Sequence, residues 1–376
     1  MIELDLHDAT QEEIRTHLGV TERLLSRVAS QLSRANRHAT IYLMPDLGLP
    51  RGVGRIHGGF FNGAVYSWET TVPFVPVDAT VNCCGTSAFR LSNPLNSESE
   101  FLAKVTSAQR RVKGTPYSWN FNSGNHFISY GDVARGWGLR DGAYAVLHSS
   151  AAEFKRQYNG LYPDPGNWFA SEIKTLWDDC SGRYIRYVEG RTAERFFGVA
   201  KMLEEFNRTR HQFMAGLIFG EAEIAEEVLN IQHYGMPGAG SVAIGCQWVR
   251  AGERCLLLTD ERSDLYFVRA AAGGRNTATL GGQDYVLMPH GLGNVILGDT
   301  HMHFGCEGLS IGGREFPVSH SLEFGRDIAL RSGASLGQGS THALVREILS
   351  VCPGEIMGTM RQAYNYNRDS APAAAD

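Results

Sequence analysis

Val242-Ala243-Ile244-Gly245-Cys246-Gln247-Trp248 opens the stretch whose reading decides the fold class. It is a short apolar run broken by a glycine, and similar runs follow at Arg254–Leu258, Leu265–Val268 and Tyr285–Met288, with Gly, Asn and Asp between them. Short apolar runs bounded by turn residues read as strands joined by tight connections. Upstream the period changes. Thr192–Phe219 carries Phe196, Phe197, Val199, Leu203 and Phe206 at helical spacing, and Glu221–Leu229 continues that pattern. Further upstream, Thr10-Gln11-Glu12-Glu13 has the form of a capping box with Thr10 as N-cap. Ile14, Leu18, Leu24, Leu25, Val28 and Leu32 then fall on or near one face of a helix that reaches about Arg34.

The remaining segments fill in around these. Ile41-Tyr42-Leu43-Met44 reads as a strand stopped by Pro45, and Gly52 to Gly63 reads as glycine-rich turns. Thr71–Val77 and Ala143–Leu147 read as short strands, Thr341–Leu349 as the last helix, and residues 370–376 as a disordered tail. Helices gathered at one end and strands elsewhere predict an α+β fold. With no internal repeat and no clear linker, residues 1–376 read as a single large domain.

Composition narrows the function classes. The chain has 376 residues, 43% hydrophobic and 20% charged, which is enough apolar material for a sizeable core. A formal net charge of −5, without a strongly charged tail, neither requires nor excludes a nucleic-acid partner. No run of 18 apolar residues exists, so no membrane span is expected. The opening Met1-Ile2-Glu3-Leu4-Asp5-Leu6 is acidic and unlike a secretion signal. The seven cysteines therefore read as reduced thiols of a cytoplasmic protein, most of them small buried hydrophobes.

The chemistry-bearing residues are a cysteine pair and three histidines, each in a distinct local frame. These are Asn82-Cys83-Cys84-Gly85, Gly124-Asn125-His126-Phe127, Leu147-His148-Ser149-Ser150 and Gln232-His233-Tyr234. Thiolate plus imidazole is the ligand set of a borderline-soft divalent metal. A zinc finger would crowd such ligands into short knuckles. Here they are far apart in sequence, which suggests a site assembled inside a large fold. A metal held this way can polarise a phosphoryl oxygen or activate a bound hydroxyl. Two other constellations stand beside it. His301-Met302-His303 places two imidazoles on one face of a strand, with Cys306 close by. His290, in Pro289-His290-Gly291-Leu292-Gly293-Asn294, lies in a glycine-rich turn whose backbone amides can approach a phosphate.

In this order the motifs resemble those of the RtcB family, the metal- and GTP-dependent RNA ligases. Met44-Pro45-Asp46 before a glycine-rich stretch resembles the family's Met-Pro-Asp segment, and Val77-Asp78 with Cys84-Gly85 resembles its Val-Asp-x-x-Cys-Gly. Gly124-Asn125-His126-Phe127-Ile128 and Leu147-His148-Ser149 match its Gly-Asn-His-Phe-Ile and Leu-His-Ser. Asn207-Arg208 resembles its Asn-Arg, His233 falls where its His-Asn should be, and His320 with Gly325-Arg326 resembles its His-Gly-Ala-Gly-Arg. The frame covers roughly residues 40 to 330.

The resemblance implies a fold of mixed, mostly antiparallel sheets flanked by helices around a buried metal site. It implies two divalent metals, manganese in the main and zinc as an alternative, bound by Asp78, Cys84 (or Cys83), His126, His148 and His233. It implies GTP as cofactor, with Asn125 and Arg326 around the nucleotide and His320 at the rim of the metal site as the histidine that accepts GMP; His290, from its glycine-rich turn, is a further candidate for the nucleotide phosphates. RNA ends, a 3′-phosphate or 2′,3′-cyclic phosphate and a 5′-hydroxyl, would be the substrates.

The departures concentrate in the nucleotide pocket. Asp78 and Cys84 stand further apart than in the family, and Ser129 replaces the acid after its Asn-His-Phe-Ile. The family's Arg-Lys-Gly strand appears as Val268-Arg269-Ala270-Ala271, without the lysine. Its Gly-Ser-Met-Gly loop reads His290-Gly291-Leu292-Gly293, and Ser321-Leu322-Glu323-Phe324 intervene between His320 and Gly325. Metal ligands kept beside an altered pocket also fit a diverged metalloenzyme acting on a small molecule, or a non-catalytic relative that binds a metal.

Overall fold

The structure, a computed structural model, describes residues 1–134, 138–332 and 340–368; the segment read as a disordered tail lies outside them. The fold is mixed α+β with mostly antiparallel sheets, and six α-helices are described. They are α1 (Ala9–Ser33), α2 (Val53–His57), α3 (Glu98–Arg111), α4 (Ala152–Tyr158), α5 (Gly190–Phe219) and α6 (Thr341–Val351). None of the helices is long and apolar enough to cross a membrane.

The central sheet has seven strands. Across it run Ile224–Gln232, Gly85–Leu91, Gly142–Ser149, Phe127–Ala134, Gly354–Tyr366, Leu265–Ala270 and Arg254–Leu257. Every neighbouring pair is antiparallel. A second sheet of five strands is built on Ala39–Gly48 and Asn62–Trp68, with Ile2–Glu3 running parallel beside Ala39–Gly48. Ile14, Leu18, Leu25 and Val28 of α1 pack into one core with Ile41, Leu43 and Phe60. Phe101 and Val105 of α3 and Met214 and Ile218 of α5 cover Phe89, Ile128 and Leu147 of the central sheet. Burying apolar side chains on both sides of a helix–sheet contact is what fixes these layers.

Several local expectations are corrected. The N-cap of α1 is Asp8, not Thr10: Asp8 accepts from the Gln11 amide at 2.9 Å, and Gln11 completes the box. The hydroxyl of Thr10 is instead an acceptor for the Ile296 amide at 3.0 Å. Pro45 does not stop its strand. Ala39–Gly48 continues through it with a register shift between Leu43 and Gly48, an irregularity that tolerates a residue without an N–H. Glu221–Leu229 does not continue the helix: Glu221–Glu223 is a single 3-10 turn and the rest is strand. Helix α5 ends at Gly220, whose φ of 97° leaves the helical region, and Ile224–Gln232 becomes an edge strand against Gly85–Leu91. Helix α3, absent from the sequence reading, starts at Ser97, whose side chain accepts from the Glu100 amide at 3.2 Å.

Candidate metal centre

Four of the expected ligands come from the same end of four adjacent strands. Ser149 pairs with Gly85, His148 with Thr86 and Phe127, and Gln232 with Gly85. Cys84 therefore precedes one strand, His233 follows its neighbour, His148 ends the next, and His126 precedes the fourth. The His233 amide donates to the Cys84 carbonyl at 3.0 Å, which ties the first two together.

The side chains meet there. Cys84 Sγ lies 3.1 Å from His148 Nε2 and 3.8 Å from His126 Nε2, and His148 Nε2 lies 3.2 Å from His233 Nε2. The ligand atoms of Cys84, His148 and His233 all fall within 4.8 Å of one another, and all three residues are buried. Ligands bonded at 2.0–2.3 Å around a tetrahedral ion stand about 3.3–3.8 Å apart, so the observed spacing suits a single ion.

Tautomers strengthen that fit. His148 Nδ1–H donates to the Asn125 carbonyl at 3.0 Å, and His126 Nδ1–H donates to the Asn120 carbonyl at 2.9 Å. With the proton held on Nδ1, each Nε2 turns a lone pair inward. Lone pairs converging in a buried space repel unless a proton or a cation sits between them. Burial also sets the protonation. It pulls the His126 imidazole down to about 4, and takes His148 and His233 well below the ordinary value. Burial pushes the Cys84 thiol up to about 12. Neutral imidazoles are ready ligands, and the thiol becomes a thiolate when a metal replaces its proton.

A buried polar frame holds the ligands from behind. Arg210 of α5 is fully buried and donates Nε–H to Glu153 at 2.6 Å and Nη2–H to the Ser118 carbonyl at 2.8 Å. It also reaches the Ser149 hydroxyl and the Asn120 side chain. Asn120 carries the carbonyl that fixes His126, and Ser149 follows His148. Asn207 donates to the carbonyls of Cys83 and Ser149 at 3.1 and 3.0 Å. One face of α5 thus fixes the backbones that present three ligands. Of this frame the sequence shows Asn207 and Ser149 through their motifs, whereas Arg210, Glu153 and Asn120 look like ordinary surface types.

Beside the cluster stands His290, its ring stacked on His233 with centroids 5.0 Å apart. Asp46 is fully buried, and its Oδ2 accepts from His290 Nδ1–H at 2.5 Å and from the His290 amide at 3.0 Å. The close approach needs glycine at Gly245, where an added Cβ would meet His290 Cε1 at 3.0 Å and the backbone φ is +67°. Asp46, quoted only as part of Met-Pro-Asp, was not read as a site residue.

The other expected residues make other contacts. Asp78 is engaged by Arg186, whose Nε–H donates to Oδ2 at 2.9 Å and whose Nη2–H reaches Oδ1. Its carboxylate is neutralised by a guanidinium rather than turned to the cluster. Cys83 turns the other way and donates its thiol to the Ala200 carbonyl at 3.5 Å. Asn125 supplies its backbone carbonyl to His148, and its side chain is exposed. His320 sits in the turn after Arg314–Pro317. Its ring lies on Phe316 with centroids 5.3 Å apart, and its carbonyl accepts from the Val53 amide at 3.1 Å. Ser321, the next residue, bridges Gly52, which draws this turn to the loop before α2. His320 is not in the ligand group. Arg326 is 65% exposed and faces Glu323 at 3.5 Å. His301 is 76% exposed beside Glu13, and His303 and Cys306 are exposed.

Fold and donor set together define a mixed α+β protein with a buried Cys–His–His group able to hold a metal ion. No protein-family model matches the chain, and no curated protein matches it.

Proposed function

We propose that the chain is a metal-dependent nucleotidyl-transfer enzyme of the RtcB type. It would join an RNA 3′-phosphate or 2′,3′-cyclic phosphate to a 5′-hydroxyl through a nucleotidyl-histidine. The observation that carries this reading is the pairing of the Cys84–His148–His233 group with a free, oriented imidazole at its side. Manganese or zinc at the group would neutralise charge on a phosphate oxygen. Cys84, His148 and His233 would hold the ion, with His126 as a further ligand.

The histidine assigned to the covalent step is His290 rather than His320. A nucleophilic histidine must stand near the metal, stay unligated and keep one nitrogen lone pair free. His290 meets these conditions. Asp46 takes the Nδ1 proton in a charge-assisted hydrogen bond, so the lone pair sits on Nε2. In the step, Nε2 bonds to the α-phosphorus of GTP, the bond from that phosphorus to the bridging oxygen breaks, and pyrophosphate leaves with the bond pair. The Asp46 carboxylate offsets the positive charge that develops on the imidazole. The RNA 3′-phosphate then takes the GMP from His290, and attack by the 5′-hydroxyl on the activated phosphate releases GMP.

A second reading is supported by the nucleotide-side residues. Arg269 is exposed and paired with Glu355 at 3.2 Å, and Arg326 faces Glu323, so neither basic group is directed at the centre. Such a site suits a diverged metalloenzyme whose phosphorylated substrate is a small molecule. Incubation with GTP and manganese, followed by intact mass spectrometry, separates the two. The ligase reading expects a GMP adduct that survives His320→Ala and disappears in His290→Ala. Metal-loaded wild type without any adduct overturns the ligase reading.

A further inference from the structure

Arg55 is a cation beside the residue that follows His233, with no carboxylate partner among the described residues. It belongs to α2, a short helix inside the glycine-rich stretch from Gly52 to Gly63. Its Nη2–H donates to the Thr80 carbonyl at 2.5 Å, and its guanidinium carbon stands 5.1 Å from the centroid of the Tyr234 ring. Both contacts lead to the ligands. Tyr234 follows His233, and Thr80 lies in the segment that delivers Cys84. That segment is strained, with φ of 26° at Thr80 and 52° at Cys83, both in the region non-glycine residues avoid. The Thr80 contact helps to pin it.

The charges near the centre do not balance without a further anion. A thiolate and a divalent cation leave one positive charge. The Arg210 charge is matched by Glu153 and the Asp46 carboxylate is turned to His290. Asp78 is matched by Arg186, and Glu204 by Lys201. With the Asp46 carboxylate counted beside a neutral His290, Arg55 leaves one positive charge over, and it is only half-buried, so water and ligands reach it. Its field also acts on the Cys84 thiol and on the phenols of Tyr162 and Tyr234. The guanidinium commits donors to the Thr80 carbonyl and to the Tyr234 phenol, and its remaining N–H groups suit the oxygens of a phosphate.

We propose that Arg55 is the anion-binding arm of the metal centre, and that it selects substrates carrying a phosphate monoester. The proposal rests on the metal-dependent reading above and names the residue through which that site reads its substrate. Tyr162 and Tyr234 flank the arm, and the Thr80 carbonyl fixes its orientation.

The test uses inorganic phosphate as probe, with acetate as the carboxylate control. Binding is measured by calorimetry on the manganese-loaded and the metal-free protein, for wild type, Arg55→Met and Arg55→Lys. Arg55→Met removes a bidentate charged contact and should weaken phosphate binding by roughly tenfold to a hundredfold. Arg55→Lys, which keeps the charge and loses the fork, should fall between. Metal stoichiometry and the circular dichroism spectrum should stay unchanged in both variants. Equal phosphate affinity in wild type and Arg55→Met overturns the assignment while leaving the metal reading intact. Acetate bound as tightly as phosphate overturns the selectivity. If no metal binds but phosphate affinity still drops in Arg55→Met, the arm stands and the metal-dependent reading falls. Wild type that binds phosphate in neither form overturns the arm. Competition by guanosine 5′-monophosphate against a 3′-phosphorylated dinucleotide then tells which phosphate the arm holds, and either winner is a phosphate monoester.

Discussion

His301, His303 and Cys306 lie on or beside the small sheet of Met302–Phe304, Gly308–Ile311 and Arg314–Pro317. Cys84, His126, His148 and His233 lie at one end of the central sheet. The residue types are the same, and the first group is the more compact in sequence. Yet His301, His303 and Cys306 point into solvent, while the second group is buried with its lone pairs facing one another. Water satisfies an exposed imidazole at little cost. A buried imidazole must find a partner, and here two backbone carbonyls take the Nδ1 protons and leave Nε2 for something else. Nearness in sequence thus says less about a metal site than shared strand ends and burial do.

The largest effect should come from removing a central ligand. His148→Ala deletes the ring that touches both Cys84 and His233, and should weaken manganese or zinc binding by more than about a hundredfold, beyond what loss of an outer partner costs. His301→Ala and His303→Ala should bind metal as wild type does. Metal content after dialysis against a weak chelator checks all three. Full metal content in His148→Ala would erase the contrast between the two regions.

Next comes the frame behind the ligands. Arg210 and Glu153 form an ion pair with both side chains fully buried, and Glu153 Oε2 has no hydrogen-bond partner among the described residues. Removing one member leaves the other charge unmatched in the interior. Arg210→Met should lower the unfolding free energy by about 3–5 kcal/mol, read as a shift of the urea midpoint. Breaking the exposed pair Arg326–Glu323 with Arg326→Ala should change it by less than about 1 kcal/mol. Equal, small shifts would mean that α5 does not hold the site as described.

The sequence made part of this legible and hid the rest for physical reasons. Cys84, His126 and His148 stood out because each sits beside glycine, asparagine or serine at a strand end, and His233 because it falls at the expected place in the motif order. The α+β class followed from the change in period after about residue 240. For His320 a motif echo says nothing about where its loop folds; the bridge from Ser321 to Gly52 sets that turn against the loop before α2. Asp78 misled because its partner, Arg186, is distant in sequence. Pairing of that kind is set by the contact of Phe74–Pro76 with Arg183–Glu189 and cannot be read locally. Asp46 and Arg55 were missed because burial and the absence of a counter-ion are properties of the fold.

The pH dependence separates the regions again. Burial holds His126 at about 4 against an ordinary 6.5, and His148, His211 and His233 are lowered as well. The folded-state value lies below the unfolded one, so the unfolded chain binds the extra protons as pH falls. Their contribution is fully present above pH 6.5 and is lost progressively as pH drops toward 4. For His126 alone the loss at pH 5 is about 2 kcal/mol. Urea midpoints of chelator-treated protein at pH 8, 6 and 5 should decline in that order. A flat profile would contradict the burial of the cluster.

The smallest effect divides two adjacent thiols. Cys83 and Cys84 are both buried, but only Cys84 Sγ faces imidazole nitrogens. Cys83 Sγ faces the Ala200 carbonyl of α5 through a long, weak contact, and burial raises its thiol far above the ordinary value. A thiol so placed is a packing group. Cys83→Ala removes that contact and a small volume, and should cost about 1–2 kcal/mol of stability with metal content unchanged. Cys84→Ala removes a similar volume and should abolish stable metal binding, because the thiolate is the charged ligand of the group. Serine at the two positions sharpens the contrast. Cys84→Ser leaves only a hydroxyl at the cluster, a poor ligand at neutral pH, whereas Cys83→Ser can still donate to the Ala200 carbonyl. Metal loss in Cys83→Ser with retention in Cys84→Ser would reverse the assignment of the thiolate and move the centre to the α5 side of the loop.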